Sequence, residues 1–309
     1  MQQPVIEPVD TTLIENELTE DKYLRATNKG GNDIYIVDAF NAPNTMREIG
    51  RLREIAFRAA GGGTGKDCDI DSYDTMTPPC RQLIVWNPEH RLILGGYRFI
   101  LGEDVKIESD GSPRIATAHM FDFSDNFVRN YLPSTVELGR SFVRLEYQST
   151  RAGAKAIYAL DNLWDGLGAL TVKYPQIKYL FGKVTMYPSY SEHCRNLILH
   201  FLHKHFPDND NLVTPRNPLV TGADDEAIAK IFSGENFKED YRILNSEVRQ
   251  WGYNIPPLVN AYMGLSPTMR IFGTAINDEF GDVEETGIFL VIDEIFEEKK
   301  QRHISTYKA

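Results

Sequence analysis

Cysteine is scarce in this 309-residue chain: Cys68, Cys80 and Cys194 are odd in number and widely separated. Such a set builds neither a disulfide framework nor a zinc ribbon, and a reducing, cytoplasmic setting is expected. Long apolar runs are lacking too. No stretch approaches the roughly 20 apolar residues that cross a bilayer, and the opening MQQPVIEPVD has neither the basic start nor the apolar stretch of a secretion signal. Any membrane contact is therefore expected to be peripheral. Positive charge is in deficit, with 33 lysines and arginines against 44 aspartates and glutamates and a formal net charge of −11. That balance excludes nucleic acid as a partner of the surface as a whole, though not a local basic patch. What is present is an ordinary globular composition, 42% hydrophobic and 25% charged, on a chain long enough to bury a core without staples.

Residues 1–32 are polar and acidic with little periodicity, and read as an extension. The body is expected from Asp33, with a short strand at 34–37, turn and cap signals at 41–44, and a helix over 45–59. On that helix Ile49, Leu52, Ala56 and Phe57 form an apolar side, Arg53 points with them, and Arg47, Arg51 and Arg58 share the opposite side. GGGTGKDCDIDSYD, residues 61–74, reads as a long loop. Strands at 81–87 and 91–101 form a hairpin, with Gly95 and Gly96 marking a bulge or a close backbone approach. A strand at 135–148, a helix at 152–173, a strand at 179–186 and a helix at 191–206 give a βαβα order. The break PDNDNLVTPRNP opens a mainly helical insert, residues 207–265, before two late strands and a solvated tail in 266–309.

Glu137-Leu138-Gly139-Arg140 stands inside an apolar strand. Burying a carboxylate and a guanidinium there is costly unless they are paired or used. Residues three apart in a regular strand face opposite ways, so a bulge at Gly139 is needed to bring both to one side. Glu137 is then a candidate general base for an amine and Arg140 a candidate anchor for a carboxylate or carbonyl; a partly exposed pair at a strand edge is the alternative. The acidic loop Asp67, Asp69, Asp71 and Asp74 lacks the glycine and closing glutamate of a calcium loop. Gly61, Gly62, Gly63, Gly65 and Lys66 lack the spacing, and the Ser or Thr after the lysine, of a phosphate loop. His200, His203 and His205 read as a helix end suited to cationic side chains, with no metal implied.

These residues resemble the acyl-transferring branch of the GNAT superfamily: the ornithine-lipid and glycine-lipid N-acyltransferases, often labelled hemolysin, and more distantly the acyl-homoserine-lactone synthases. Arg53 and Phe57 resemble its helix Arg-x-x-x-Phe, Asp71 and Asp74 its loop Asp-x-x-Asp, Gly96-Tyr97-Arg98 its glycine-aromatic-arginine, and Glu137 and Arg140 its Glu-x-x-Arg. LWDGLGAL and YLFGKVTMYPSY look like the group's tryptophan-glycine helix and Leu-Phe-Gly strand, and residues 273–280 like its closing Gly-x-x-x-x-Asp-x-x-Phe, with Asn277 and Asp278 competing for the register. The resemblance covers roughly residues 33–206 and 256–295. It implies an α/β (α+β) fold of GNAT type, three αβα layers around a mixed, mostly antiparallel twisted sheet: extension 1–32, core 33–206, insert 207–265, closing strands and tail 266–309.

It also implies an N-acyltransferase that moves a fatty acyl group from a phosphopantetheine thioester to a small amino acid such as glycine or ornithine, at a cytoplasmic or inner-membrane-face site. Glu137 and Arg140 are then the catalytic pair. Arg53, Phe57, Asp71, Asp74 and Arg98 shape the substrate cleft, Asp69, Asp71 and Asp74 being available to pair the arginines. Backbone amides near Phe142 and Val143 hold the oxyanion. Acetyl-CoA enzymes of the superfamily carry a Gln/Arg-x-x-Gly-x-Gly/Ala loop; here Thr150 and Lys155 depart from it. That departure favours acyl carrier protein over free CoA as donor, with no tightly bound cofactor. Arg151 and Lys155, or the face of Arg47, Arg51 and Arg58, offer a cationic landing site. A CoA-dependent N-acetyltransferase and a non-catalytic binding module are the alternatives.

Overall fold

A computed structural model describes residues 2–148 and 154–308. In chain order it contains helix α1 (Thr11–Glu17), strands β1 (Tyr23–Ala26) and β2 (Asp33–Val37), helix α2 (Pro43–Ala60), a single helical turn α3 (Ser72–Thr75), and strands β3 (Arg81–Asn87), β4 (Leu92–Leu101), β5 (Phe121–Phe123) and β6 (Thr135–Val143). Then come α4 (Ala154–Lys173), β7 (Tyr179–Met186), α5 (Glu192–His205), β8 (Val213–Pro215), α6 (Asp225–Ile231), α7 (Phe237–Gln250), α8 (Pro257–Met263), β9 (Arg270–Asn277), β10 (Val283–Val291) and α9 (Glu297–His303). Eight strands form one sheet in the order β1-β2-β3-β4-β6-β7-β10-β9, and β5 pairs with β8 in a small second sheet. All pairs of the large sheet are antiparallel except β6 with β7.

Both faces of the sheet are covered, which is why β3 is a nearly continuous apolar run rather than an alternating one. Its alternate residues serve different cores. Leu83 and Val85 join Leu163, Leu167 and Leu170 of α4 and the buried residues of α5, α7 and α8, whereas Ile84 and Trp86 pack on Met46, Ile49 and Leu52 of α2. Burial of Ile49, Leu52 and Phe57 contributes about 1.5–3 kcal/mol each. A third cluster, with Phe121, Phe127, Phe181 and Phe289, sits under β5 and β8.

The amino-terminal segment differs from expectation. β1 pairs with β2, so the sheet begins at Tyr23 rather than Asp33; a four-residue strand is too short to show a period. Glu17 also caps α2. Its carboxylate accepts from the backbone N–H groups of Asn44 at 3.0 Å and Thr45 at 2.7 Å, while the expected cap around residues 41–44 is Ala42, which supplies no side-chain bond. β6 ends at Val143, five residues short of the predicted strand end. The tail is not simply solvated: α9 is tied to α4 by His303, whose Nδ1 lies 2.8 Å from an Asp165 oxygen. Asp165 also accepts from the Asn28 backbone at 2.9 Å, and a Cβ on Gly168 would come within 2.2 Å of the His303 carbonyl oxygen. The tryptophan-glycine motif is therefore a clamp holding both chain ends to α4. The helices of residues 207–265 share the main core through Leu244, Val248, Val259 and Tyr262.

Candidate active site

Two irregularities in the sheet make the site. Between β4 and β6 the register runs Gly96 to Phe142 and then Arg98 to Gly139, so Arg140 and Ser141 together oppose Tyr97. This is a β-bulge, one residue beyond the predicted Gly139. Arg140 takes the left-handed conformation at φ 47°, a strain of order 1 kcal/mol that structures retain mainly where geometry serves function. The backbones crowd together there: a Cβ on Gly95 would meet the Phe142 carbonyl oxygen at 2.4 Å. The second irregularity is a splay. Parallel pairing of β6 with β7 stops at Glu137 and Phe181, and the strands then diverge.

The gap holds two cavities. One, about 630 Å³, is walled mainly by apolar groups, among them Phe57, Tyr97, Met186, Leu258 and Tyr262. The other, about 620 Å³, is polar and includes Asp71, Arg98, Thr117 and Glu137. They meet at Leu138, Gly139, Arg140, Lys183 and Phe280, which line both.

Glu137 faces the polar cavity from a buried position. Its carboxylate accepts from the Thr117 backbone N–H at 2.9 Å, the Thr117 hydroxyl at 2.8 Å and the Ala116 N–H at 3.3 Å. Burial raises its pKa above the ordinary glutamate value, and the Thr117 bonds and the charge of Arg98 only partly offset this. The result is a carboxylate with no ion-pair partner among the described residues, more basic than usual and open to a substrate-sized space.

Behind it lies a network of arginines and aspartates. Arg53 from α2 stands 3.3 Å from Asp74 with neither side chain exposed, and Gln82 donates to the same carboxylate at 2.9 Å. Arg98 from β4 donates to Asp71 at 2.6 Å and to Asp74 at 3.4 Å. Arg140 lies 3.0 Å from Asp69 and 3.6 Å from Asp71, its guanidinium 4.4 Å above the Phe280 ring. Asp71 and Asp74 also form a reciprocal capping box on α3. Burial alone would raise the Asp71 carboxyl, but Arg98 beside it, with Arg140 and Arg53, brings it down to about 2. Burial opposes the charge on Arg98, yet Asp74 and Asp71 outweigh it, and its pKa stands well above the arginine norm. Three arginines thus neutralise three aspartates.

The predicted residues separate accordingly. Glu137, Arg140, Arg98 and Asp71 line the polar cavity and Phe57 the apolar one. Arg53 and Asp74 line neither cavity; they stand behind the wall and hold it. Phe142 and Val143 oppose Gly96 and Gly95 in the ladder and line neither cavity; the bulge at Arg140 and Ser141 stands immediately before them. Arg151 lies outside the described residues, as do Thr150 and Gly153; Lys155 is in the first turn of α4, and its side chain lies outside them too. The face of Arg47, Arg51 and Arg58 is not a free basic patch. Arg51 is buried against Glu48, with bonds of 2.8 and 2.6 Å, and Arg58 pairs with Glu54 at 2.7 Å.

In the closing motif Asn277, not Asp278, enters the polar cavity. Asn277 donates to Glu285 at 3.3 Å and Phe280 packs edge-on to Phe57 at 5.1 Å. The sequence reading missed Lys183 and Glu285, an ion pair between β7 and β10 at the junction of the cavities. Burial lowers the Lys183 pKa against the pull of Glu285, and burial would raise that of Glu285 but Lys183 and Thr185 bring it below the glutamate norm. The available signal was a lone lysine within the apolar run YLFGKVTM.

A splayed β6–β7 pair in a mixed sheet, with a bulged strand carrying a buried carboxylate, defines a GNAT-type acyltransferase, and a GNAT acetyltransferase-domain model matches residues 52–157. Two curated proteins are similar over nearly the whole chain, both called glycine N(alpha)-acyltransferase. That of Bacteroides thetaiotaomicron is 65% identical over 305 residues, covering 99% of this chain and 90% of the relative; that of Phocaeicola vulgatus is 61% identical, covering 99% and 94%. The chain belongs to this acyltransferase family, and the non-catalytic alternative falls away. Among solved structures, FeeM, an N-acyl amino acid synthase from uncultured soil microbes, aligns with a TM-score of 0.40 at 11% identity, over 85% of this chain and 93% of that one. The acyl-homoserine-lactone synthase LasI aligns at 0.35, also at 11% identity, over 90% and 96%.

Proposed function

We propose that the protein transfers a fatty acyl group from a phosphopantetheine thioester, carried on acyl carrier protein, to the amine of a small amino acid, glycine first. The observation that carries the reading is the junction at Gly139 and Arg140, where an apolar cavity sized for an acyl chain opens onto a polar cavity holding Glu137. The amine nitrogen attacks the thioester carbonyl. Glu137, directly or through water, takes the proton the nitrogen loses, the carbon–sulfur bond breaks, and the thiolate leaves on the pantetheine arm. The bulge at Arg140 and Ser141, with one residue more than its partner strand, is the natural place for a backbone donor to the developing oxyanion.

Carrier protein is favoured over CoA by the departures at Thr150 and Lys155, with Arg151 and Lys155 as the landing site. Tyr253, an exposed residue on the wall of the apolar cavity, and its exposed neighbour Trp251 suit a peripheral lipid contact where the acyl chain enters and leaves. The test is thiol release from matched acyl-carrier-protein and acyl-CoA thioesters against a panel of amino acids, with mass spectrometry of lipids from an expressing host. N-acyl glycine made from the carrier-bound donor supports the reading; turnover confined to acetyl-CoA overturns it in favour of an acetyltransferase.

A further inference from the structure

An amino acid brings its own carboxylate into a site already crowded with buried aspartates, so the acceptor needs a cation that is not spoken for. Among the described residues, four lysines and arginines line the polar cavity: Lys66, Arg98, Arg140 and Lys183. Three are matched by protein carboxylates. Arg98 is held by Asp71 and Asp74, Arg140 by Asp69 and Asp71, and Lys183 by Glu285. Drawing Arg140 or Lys183 to a substrate strands buried Asp69 or Glu285, and drawing Arg98 away leaves Asp71 and Asp74 with one guanidinium fewer each, which is costly. Among the described residues Lys66 has no carboxylate within ion-pair distance, and it is exposed to solvent at the cavity wall.

The loop that carries Lys66 is fixed rather than free. Buried Glu54 of α2 accepts from the Thr64 N–H at 3.1 Å, the Thr64 hydroxyl at 2.7 Å and the Gly65 N–H at 2.7 Å. Arg58, itself paired with Glu54, donates to the Lys66 carbonyl, and the Lys66 N–H donates to the Thr64 hydroxyl at 3.2 Å. The backbone amides of Thr64, Gly65 and Lys66 are therefore occupied, while the ammonium is left over. The glycine-rich run reads as a device for presenting one lysine, not as a phosphate cradle. Besides Lys66 and Glu137, Glu279 is the unpaired charge on the cavity wall among the described residues; being negative, it repels a carboxylate and favours the ammonium end of a zwitterion.

We propose that Lys66 binds the α-carboxylate of the acceptor and so turns its amine toward Glu137, making the enzyme selective for amino acids over simple amines. This rests on the reading of the polar cavity as the acceptor site. The test compares Lys66→Met and Lys66→Gln with Lys66→Arg and the parent, using glycine and glycinamide as acceptors and monitoring thiol release. The Met and Gln variants are expected to raise the glycine KM at least tenfold, change kcat and the donor KM less than threefold, and erase the preference for glycine over glycinamide. Arginine is expected to retain most of that preference. An unchanged glycine KM with the preference intact overturns the proposal, as does a rise confined to the donor KM. Glu137→Gln run alongside separates the two levels: if it is inactive while Lys66 variants behave as the parent, only the anchor fails; if it turns over normally, the reading of the cavity fails with it.

Discussion

Asp74 serves two guanidiniums at once, Arg53 at 3.3 Å and Arg98 at 3.4 Å, all three side chains being almost wholly buried. Removing that carboxylate leaves two cations without their shared counter-charge. Asp74→Ala is expected to destabilise the fold by about 3–5 kcal/mol, the usual consequence of breaking a buried pair by deleting one partner. Urea unfolding measures it. The double variant Arg53→Met, Asp74→Ala should lose less than the sum of the two single changes, because the pair then goes together.

Asp71 sets an acid limb on stability. Its carboxyl is at about 2 in the folded chain, against about 3.9 for an unperturbed aspartate. A depressed folded value means that the stabilisation is present above about pH 4 and is lost as pH falls toward 2. The effect is worth about 2 kcal/mol. Unfolding midpoints taken from pH 6 to pH 2 should fall more steeply for the parent than for Asp71→Asn; parallel curves would contradict the assignment.

Glu137, the proposed base, is expected to set an acid limb on activity. The base must be deprotonated, and burial raises its pKa, so kcat/KM should climb with pH through a step above the ordinary glutamate value of about 4.3. Glu137→Gln is expected to lower kcat roughly 10²–10⁴-fold with donor affinity unchanged, and to remove that step. Single-turnover thiol release at fixed donor reads both.

The apolar cavity predicts a length limit. Leu258 of α8 is half-buried on its wall, and Leu258→Trp should occupy space that a long acyl chain uses. Long-chain donors are expected to lose about tenfold or more in kcat/KM, within the range that a few methylenes in a pocket command, while short-chain donors hold. A donor-length series checks it.

Gly168→Ala tests the clamp between α4 and α9. The new methyl group would meet the His303 carbonyl oxygen at 2.2 Å, an overpacking expected to cost about 1–3 kcal/mol. Thermal unfolding should show the loss, and kcat per folded molecule should stay near that of the parent because neither Gly168 nor His303 lines either site cavity.

Legibility in the sequence followed the range of the interaction. α2 and the β3–β4 hairpin were readable because their apolar periods are set by neighbours in sequence, and the bulge announced itself through Gly95, Gly96 and Gly139. That the loop aspartates pair the arginines was also legible, since buried guanidiniums need partners; which aspartate meets which arginine was not. Glu17 capping α2 joins residues 27 or more apart, and Lys183 with Glu285 joins residues 102 apart, so no local pattern shows either. Arg51 misled the reading of its helix face because a bidentate bond to Glu48, three residues earlier, lets a charged residue be buried.

The splay beyond Glu137 and Phe181 has a consequence for the end of the catalytic cycle. On the proposed reading, donor and acceptor approach the junction from separate chambers, and the amide that joins them would lie across both, like a bolt through a plate. On that same reading, a bulky acceptor would leave the larger body lodged across the junction and would betray itself as a single turnover followed by a stalled enzyme.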